Sequence, residues 1–139
     1  MVIAHTGIVC PATLVPALVK FYTLALAPLG YRKVMSFNND LVNGFSDDPA
    51  KPHQVDWWVS AASEKSVGEA GGAVVAASHH AFEAKDRATV EAFHKAALEA
   101  GGKDNGAPGV RAMYGPKYFA AYVLDPAGNN IEAMVVAGE

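Results

Sequence analysis

The strongest constraint on the fold is an internal repeat, in which the order strand, helix, strand, strand, strand occurs twice. Residues 5–8 align with residues 79–82 at an offset of 74, and residues 48–50 align with residues 125–127 at an offset of 77. A half of this size buries too little apolar surface to be stable alone, and such units are stabilised by packing on one another. The sequence therefore predicts an α+β fold of two similar βαβββ modules that enclose a cleft.

We expect one domain over residues 1–139, with module one at about 1–62, a connector at about 63–72 and module two at about 73–139. The connector is rich in Ser, Ala, Gly and Glu and has no periodicity. In module one, Thr13 is the expected N-cap of a helix that ends near Gly30. Strands are predicted around that helix at residues 2–10, 31–37, 41–46 and 55–60.

Module two repeats the pattern with a helix that begins after Asp86 as N-cap and stops at residues 101–102. Residues 104–108, which include Asn105 and Gly106, read as a polar turn. The predicted strands are 73–84, 110–114, 118–124 and 131–136.

Charge and cysteine content exclude several classes of partner. The formal net charge is −3, and no basic cluster is longer than Arg32-Lys33, which argues against nucleic acid and anionic membranes. The single cysteine, Cys10, allows no intrachain disulfide and reads as a small buried hydrophobe. No signal peptide or membrane span is evident, so we expect a soluble cytoplasmic protein.

Several segments resemble one known superfamily. In module one they are residues 4–8, 21–22, 26–31 and 56–59, and in module two they are residues 79–82, 104–109 and 124–133. These segments are similar to the small single-domain members of the glyoxalase/bleomycin resistance/dioxygenase superfamily. The resemblance covers nearly the whole chain and implies the vicinal oxygen chelate fold, in which a curled mixed sheet surrounds a cleft. It also implies a homodimer.

The resemblance further implies a metal site, because the ligands in this family project from the first and last strand of each module. Carried onto this chain, three of the four positions are His5, His79 and Glu132, and the fourth is Trp58, whose indole cannot replace a carboxylate. Adjacent strand residues face opposite sides, so only one of His79 and His80 enters the cleft, and the repeat selects His79. Two imidazoles and one carboxylate suit Fe, Mn, Zn or Ni.

The implied activity is that of a divalent-metal-dependent lyase, isomerase or dioxygenase acting on a small substrate with adjacent oxygen atoms. The missing carboxylate at Trp58 argues against true glyoxalase I activity. The candidate substrate contacts are aromatic and basic residues: Trp58, Arg111, Tyr114, Tyr118 and Tyr122. Related proteins often carry two histidines within the segment that corresponds to 111–116, and this chain has neither, which makes its pocket less polar.

The residues leave two other functions open. Trp57, Trp58 and the tyrosines also suit a metal-free protein that sequesters a planar aromatic compound, as bleomycin-resistance proteins do. A third reading is a scaffold that kept the fold and lost the site. Each candidate ligand also has a structural alternative, such as a hydrogen-bonded strand histidine or a solvated strand glutamate. The sequence also leaves open whether the cleft forms within one chain or between two.

Overall fold

The computed structural model describes residues 3–48, 50, 54–62 and 77–136, and it confirms the predicted fold class. The order strand, helix, three strands occurs twice. The first module contains β1 (Thr6–Cys10), α1 (Val15–Ala25), β2 (Arg32–Phe37), β3 (Val42–Ser46) and β4 (Trp57–Ala61). The second contains β5 (His79–Glu83), α2 (Arg87–Glu99), β6 (Lys103–Val110), β7 (Tyr118–Leu124) and β8 (Asn130–Val136).

Each module forms a four-stranded mixed sheet with the same topology. The strand orders are β1-β4-β3-β2 and β5-β8-β7-β6, and the first pair in each sheet is parallel. The two parallel ladders also share one register, because Gly7 lies opposite Trp58 and Ala81 lies opposite Glu132. Both pairs are related by the repeat offset of 74, so the repeat extends to the pairing of individual residues.

One face of each sheet, the helix face, is buried under α1 and α2 in a core shared by both modules. Phe21 of α1 and Phe93 of α2 are fully buried there. The Asp86 side chain accepts a hydrogen bond from the backbone N–H of Thr89, so the predicted N-cap of α2 is confirmed. Alternate strand residues point to the opposite side, here called the open face, and these include Trp58 and Glu132.

Three local predictions were wrong. Residues 104–108 belong to strand β6, and residues 112–114 form a 3₁₀ turn where a strand was predicted. The pairing of β6 with β7 shifts register on both sides of Gly106, and such an irregular edge strand accommodates glycine and proline. At α1, Thr13 is not the N-cap, since a 3₁₀ turn over Ala12–Leu14 leads directly into the helix.

The boundary between the modules lies partly outside the described residues. The strand predicted over 73–84 is described as β5 from His79 onward, whereas the connector at 63–72 and residues 73–76 fall outside the description. None of the helices in the described ranges combines the length and the apolar character needed to cross a bilayer.

Candidate functional site

The centre of the candidate site is a histidine–glutamate pair on the open face of the second sheet. The parallel pairing of β5 with β8 brings the two residues together, and His79 Nε2 lies 3.0 Å from Glu132 Oε2. The Glu132 side chain is 5% exposed, while that of His79 is 51% exposed. The carboxylate is therefore held inside the protein, and the imidazole forms the solvent-accessible edge of the pair.

The other nitrogen of the His79 ring fixes its orientation. Nδ1 lies 3.1 Å from the carbonyl oxygen of Asn130, which can only accept a hydrogen bond, so Nδ1 is the donor in this contact. Nε2 faces the Glu132 carboxylate at 3.0 Å, a distance that fits either a hydrogen bond or two ligands of one cation. This is the arrangement by which proteins orient a metal-binding imidazole, with the second nitrogen bonded to a fixed acceptor.

The spacing of the pair fits two ligands of one metal ion. Imidazole nitrogens and carboxylate oxygens bind first-row divalent metals at about 2.0–2.2 Å, and two donors at right angles are then about 3.0 Å apart. The observed distance from Nε2 to Oε2 has this value. The donor set of one imidazole and one carboxylate is also the chemistry that Fe, Mn, Zn and Ni accept.

Two tyrosines surround the carboxylate. Tyr118 Oη donates a hydrogen bond of 2.8 Å to Glu132 Oε1, the oxygen that does not face His79. Burial, this hydrogen bond and the charge of Glu132 raise the pKa of Tyr118 well above its usual range, so the phenol stays protonated and remains a donor. Burial and the Glu132 carboxylate also raise the pKa of Tyr122. Tyr114 is 64% exposed, and its ring centroid lies 5.2 Å from that of Tyr118.

Arg111 extends this site toward β6. Its guanidinium lies over the ring of Tyr122 at 5.3 Å and donates a 2.7 Å hydrogen bond to the carbonyl oxygen of Ala107. A Cβ at Gly109 would come within 3.0 Å of Arg111 Nη1, so the glycines of β6 leave room for the flat guanidinium. No carboxylate pairs with Arg111 within the described ranges.

The open face of the first sheet is aromatic instead. The rings of Trp58 and Phe37 stack with centroids 6.4 Å apart and planes inclined by 23°. A Cβ at Gly7 would lie 2.7 Å from Trp58 Cβ, so glycine is required where β1 passes Trp58. Phe37 is 52% exposed and Trp58 is half-buried, which leaves a planar surface open to a ligand.

The neighbouring residues on the helix face have a structural environment. Trp57 is 1% exposed and its ring lies 4.7 Å from that of His80 and 5.3 Å from that of Phe82. Burial lowers the pKa of His80, with a further contribution from His79, which favours the neutral ring. The predicted alternation of both the histidines and the tryptophans is thus observed.

His5 lies near the pair without joining it. It lines a cleft of ≈ 960 Å³ together with His79, and it lines a second hollow of ≈ 450 Å³ together with Trp58. In the part of the chain that the structure describes, no three His, Cys, Asp or Glu side chains form a group that could hold one ion. One chain therefore brings together two of the three predicted ligands, and the three-ligand set remains a prediction.

Sequence reasoning did not identify two contributors to the site. The carbonyl of Asn130 orients His79, and Phe37 completes the aromatic surface with Trp58. A backbone carbonyl has no signature of its own in a sequence. The available signal for Phe37 was its position just before the predicted Asn-Asn-Asp turn. That position places it at the end of a strand, beside the neighbouring strands.

Comparison with known proteins agrees with this architecture. A glyoxalase/bleomycin resistance protein from Albidiferax ferrireducens T118 is similar at a TM-score of 0.68 and 23% identity, with 94% of this chain and 97% of that chain covered. A glyoxalase/bleomycin resistance protein/dioxygenase family enzyme from Burkholderia phytofirmans PsJN has a TM-score of 0.68 and 18% identity, over 98% and 99% of the two chains. For lactoylglutathione lyase from Agrobacterium tumefaciens, the TM-score is 0.65 and the identity 18%, over 96% and 92%.

These structural similarities show a shared fold. No curated protein matches the sequence. The family model of the Glyoxalase/Bleomycin resistance protein/Dioxygenase superfamily matches residues 30–133, which is most of the chain and includes both His79 and Glu132. The chain therefore belongs to the Glyoxalase/Bleomycin resistance protein/Dioxygenase superfamily.

Proposed function

We propose that this protein is a divalent-metal-dependent enzyme, a lyase, isomerase or dioxygenase that acts on a small oxygenated substrate at the His79–Glu132 pair. The observation that carries the proposal is the 3.0 Å separation of His79 Nε2 and Glu132 Oε2, with the remaining ring nitrogen fixed on Asn130. Members of the superfamily often use divalent metals, which agrees with this donor set.

A bound divalent ion would supply Lewis-acid chemistry by polarising substrate oxygens and stabilising negative charge on them. The chain supplies the rest. Tyr118 holds the second oxygen of Glu132, so Oε2 stays directed at His79. Arg111 binds an anionic substituent of the substrate, and Trp58 stacks on a planar one. Since Trp58 offers no carboxylate to move a proton, glyoxalase I chemistry is not part of the proposal.

His5 is the proposed third ligand, and a homodimer is the proposed assembly. His5 shares one cleft with His79 in this chain, but it is exposed and does not complete a three-residue group there. Mixing His5→Ala protein with His79→Ala protein distinguishes a site between chains from a site within one. A shared site regains metal binding in the mixed dimers, whereas a site within one chain does not.

The metal proposal is tested by equilibrium dialysis against Mn(II), Fe(II), Ni(II) and Zn(II), followed by elemental analysis. We expect the wild-type protein to retain about one ion per site and the His5→Ala/His79→Ala double variant to lose it. Equal metal content in the two proteins would overturn the proposal. His94→Ala is a matched control, because His94 pairs with Asp104 at 2.8 Å on α2 and β6, away from the candidate ligands.

The aromatic surface supports a second candidate function, the metal-free sequestration of a planar aromatic ligand. The stack of Trp58 on half-exposed Phe37 is the observation in its favour. Tryptophan fluorescence in the presence of EDTA measures it, because Trp57 is buried and a ligand quenches mainly Trp58. Quenching by planar aromatic compounds that survives EDTA and weakens in Phe37→Ala, which keeps the Trp58 fluorophore, supports this function. Quenching that disappears with EDTA contradicts it.

A further inference from the structure

A buried hydrogen bond joins the first module to the turn that precedes β8. Tyr22 of α1 donates from Oη to Asp125 Oδ2 at 2.7 Å, across 103 residues of sequence. Tyr22 is fully buried and Asp125 is 4% exposed. Burial and the Asp125 charge raise the pKa of Tyr22, so its hydroxyl stays protonated and remains a donor.

The Asp125 carboxylate in turn organises its own turn. Oδ1 accepts the backbone N–H groups of Ala127 at 2.8 Å and Asn129 at 2.9 Å, while Oδ2 also accepts from Asn129 Nδ2 at 2.8 Å. Gly128 completes the turn with φ of +88°, a conformation that favours glycine. Four donors surround this buried carboxylate, and none of the described residues pairs a cation with it, so each donor contributes to stabilising its charge.

The amide of Asn129 carries the connection to the candidate site. Its Oδ1 accepts from the backbone N–H of Ser78 at 3.0 Å and from Ser78 Oγ at 2.9 Å. Ser78 directly precedes His79, and its carbonyl accepts from the backbone N–H of Asn130 at 2.8 Å. Asn130 is also the residue whose carbonyl oxygen faces His79 Nδ1. The starts of β5 and β8 are therefore held together at the point where the His79 ring is oriented.

We propose that Tyr22 of the first module, together with Asp125, Asn129 and Ser78 of the second, are positioning residues that set the orientation of His79 toward Glu132. None of these four residues lies between His79 Nε2 and Glu132 Oε2. They act by setting the distance between strands β5 and β8. The importance of that orientation for metal binding rests on the proposed function, while the orientation itself is a property of the metal-free protein.

The test removes only the Tyr22 hydroxyl. Tyr22→Phe keeps the ring, which packs edge-on against Phe21 at 5.0 Å, and leaves Asp125 one donor short. Thr23→Val is the matched control, because it removes an exposed hydroxyl from the same helix. That hydroxyl bonds only locally, to the carbonyl oxygen of Val19 one turn earlier. Long-range ¹H–¹⁵N spectra of the metal-free proteins report which His79 nitrogen is protonated. The affinity for Co(II) alone and the visible spectrum of its complex report the ligand geometry.

In wild type and Thr23→Val we expect a protonated Nδ1 bonded to a carbonyl and unchanged Co(II) binding. In Tyr22→Phe we expect the Nδ1 signature to weaken and the Co(II) affinity to fall about tenfold, the usual effect of losing support behind a metal ligand. If the Tyr22→Phe protein folds and both its His79 Nδ1 signal and its Co(II) binding are unchanged, the proposal is overturned. A purely structural bond predicts a loss of stability and no change in these two measurements.

Ser78 provides a second, milder pair of variants. Ser78→Ala removes one of the two bonds to Asn129 and also the 3.0 Å contact with His80 Nε2, whereas Ser78→Thr keeps the hydroxyl. We expect Ser78→Ala to show the same effects as Tyr22→Phe, and Ser78→Thr to behave like wild type. If both behave like wild type, the proposal is wrong even if Tyr22→Phe fails to fold. If wild type binds no Co(II), the proposed function fails, and the His79 spectra of the metal-free variants still decide the positioning role.

Discussion

The two modules share a backbone and differ in what their open faces carry. Gly7 lies opposite Trp58 in the first parallel ladder, and Ala81 lies opposite Glu132 in the second, at equivalent register. In the second module the open-face residue of this pair is Glu132, a buried carboxylate with a histidine at 3.0 Å. In the first module the equivalent residue is Trp58, an indole stacked on Phe37. The same fold therefore carries ionic chemistry on the open face of one sheet and an aromatic surface on the open face of the other.

This comparison separates what the scaffold determines from what a site requires. Register and alternation place residue 58 and residue 132 on the open face whatever their side chains are. The chemistry comes from the side chains alone, which is why membership of this superfamily does not specify a reaction.

Glu132→Gln breaks the ionic side. The amide keeps the shape of the carboxylate and loses its charge, so we expect divalent-metal affinity to fall at least about 100-fold, because even residues behind a ligand cost about 10- to 100-fold. Isothermal titration with Mn(II) or Zn(II) measures the change. Trp58→Phe is the control from the equivalent position of the first module, and comparable losses in both variants would show that the metal is bound elsewhere.

Gly7→Ala tests how closely the first ladder is packed. The new Cβ would meet Trp58 Cβ at 2.7 Å and also the Trp58 backbone, neither of which can move aside easily. We expect the free energy of unfolding to fall by about 1–3 kcal/mol, the usual cost of overpacking. Ala81→Gly at the repeat-related position should cost only about 0.5–1 kcal/mol, through chain entropy. Urea unfolding of both variants would contradict the comparison if the order were reversed.

Tyr118→Phe weakens the support of Glu132 without removing a proposed ligand. The variant leaves Oε1 of a buried carboxylate without its 2.8 Å donor, so we expect a loss of about 1 kcal/mol of stability. Metal affinity should fall by a smaller factor than in Glu132→Gln. Tyr114→Phe serves as the matched control, since Tyr114 is 64% exposed, and it should change neither quantity.

The smallest expected effect concerns the outer edge of the second module. The hydrogen bonds from His94 and from the backbone N–H of Gly106 lower the pKa of Asp104 below its ordinary value of 3.8. A carboxyl with a lowered folded-state pKa contributes stability above its unfolded pKa and loses it as the pH falls through the folded-state pKa. The acid loss of stability below pH 3.8 should therefore be shallower in Asp104→Asn than in wild type. Identical acid unfolding curves would contradict this.

The sequence predicted the architecture well because the repeat constrains it twice. Two independent segments had to satisfy the same order of strands and helix, and the alignment at an offset of 74 already paired Trp58 with Glu132. The error at residues 104–108 has a local cause. Gly106 and Pro108 resemble turn residues, and the irregular edge strand that accommodates them is defined only by its pairing with β7.

The candidate site was predicted only in part, because some of its contacts join residues that are far apart in the sequence. The resemblance implied His79 and Glu132, and the structure brings these two side chains together through one parallel ladder. The bond from Tyr22 to Asp125 crosses 103 residues and leaves no periodic signal in the sequence. The position of His5 relative to the pair likewise depends on how two modules pack, which alternation within a strand does not specify.

The most direct test of the account is a crystal structure of the wild-type protein grown with Mn(II) or Zn(II), with the ion located by its anomalous scattering. We expect an ion bonded to His79 Nε2 and Glu132 Oε2, at about 2.0–2.2 Å from each. A metal-saturated protein whose ion lies away from these two atoms would contradict it.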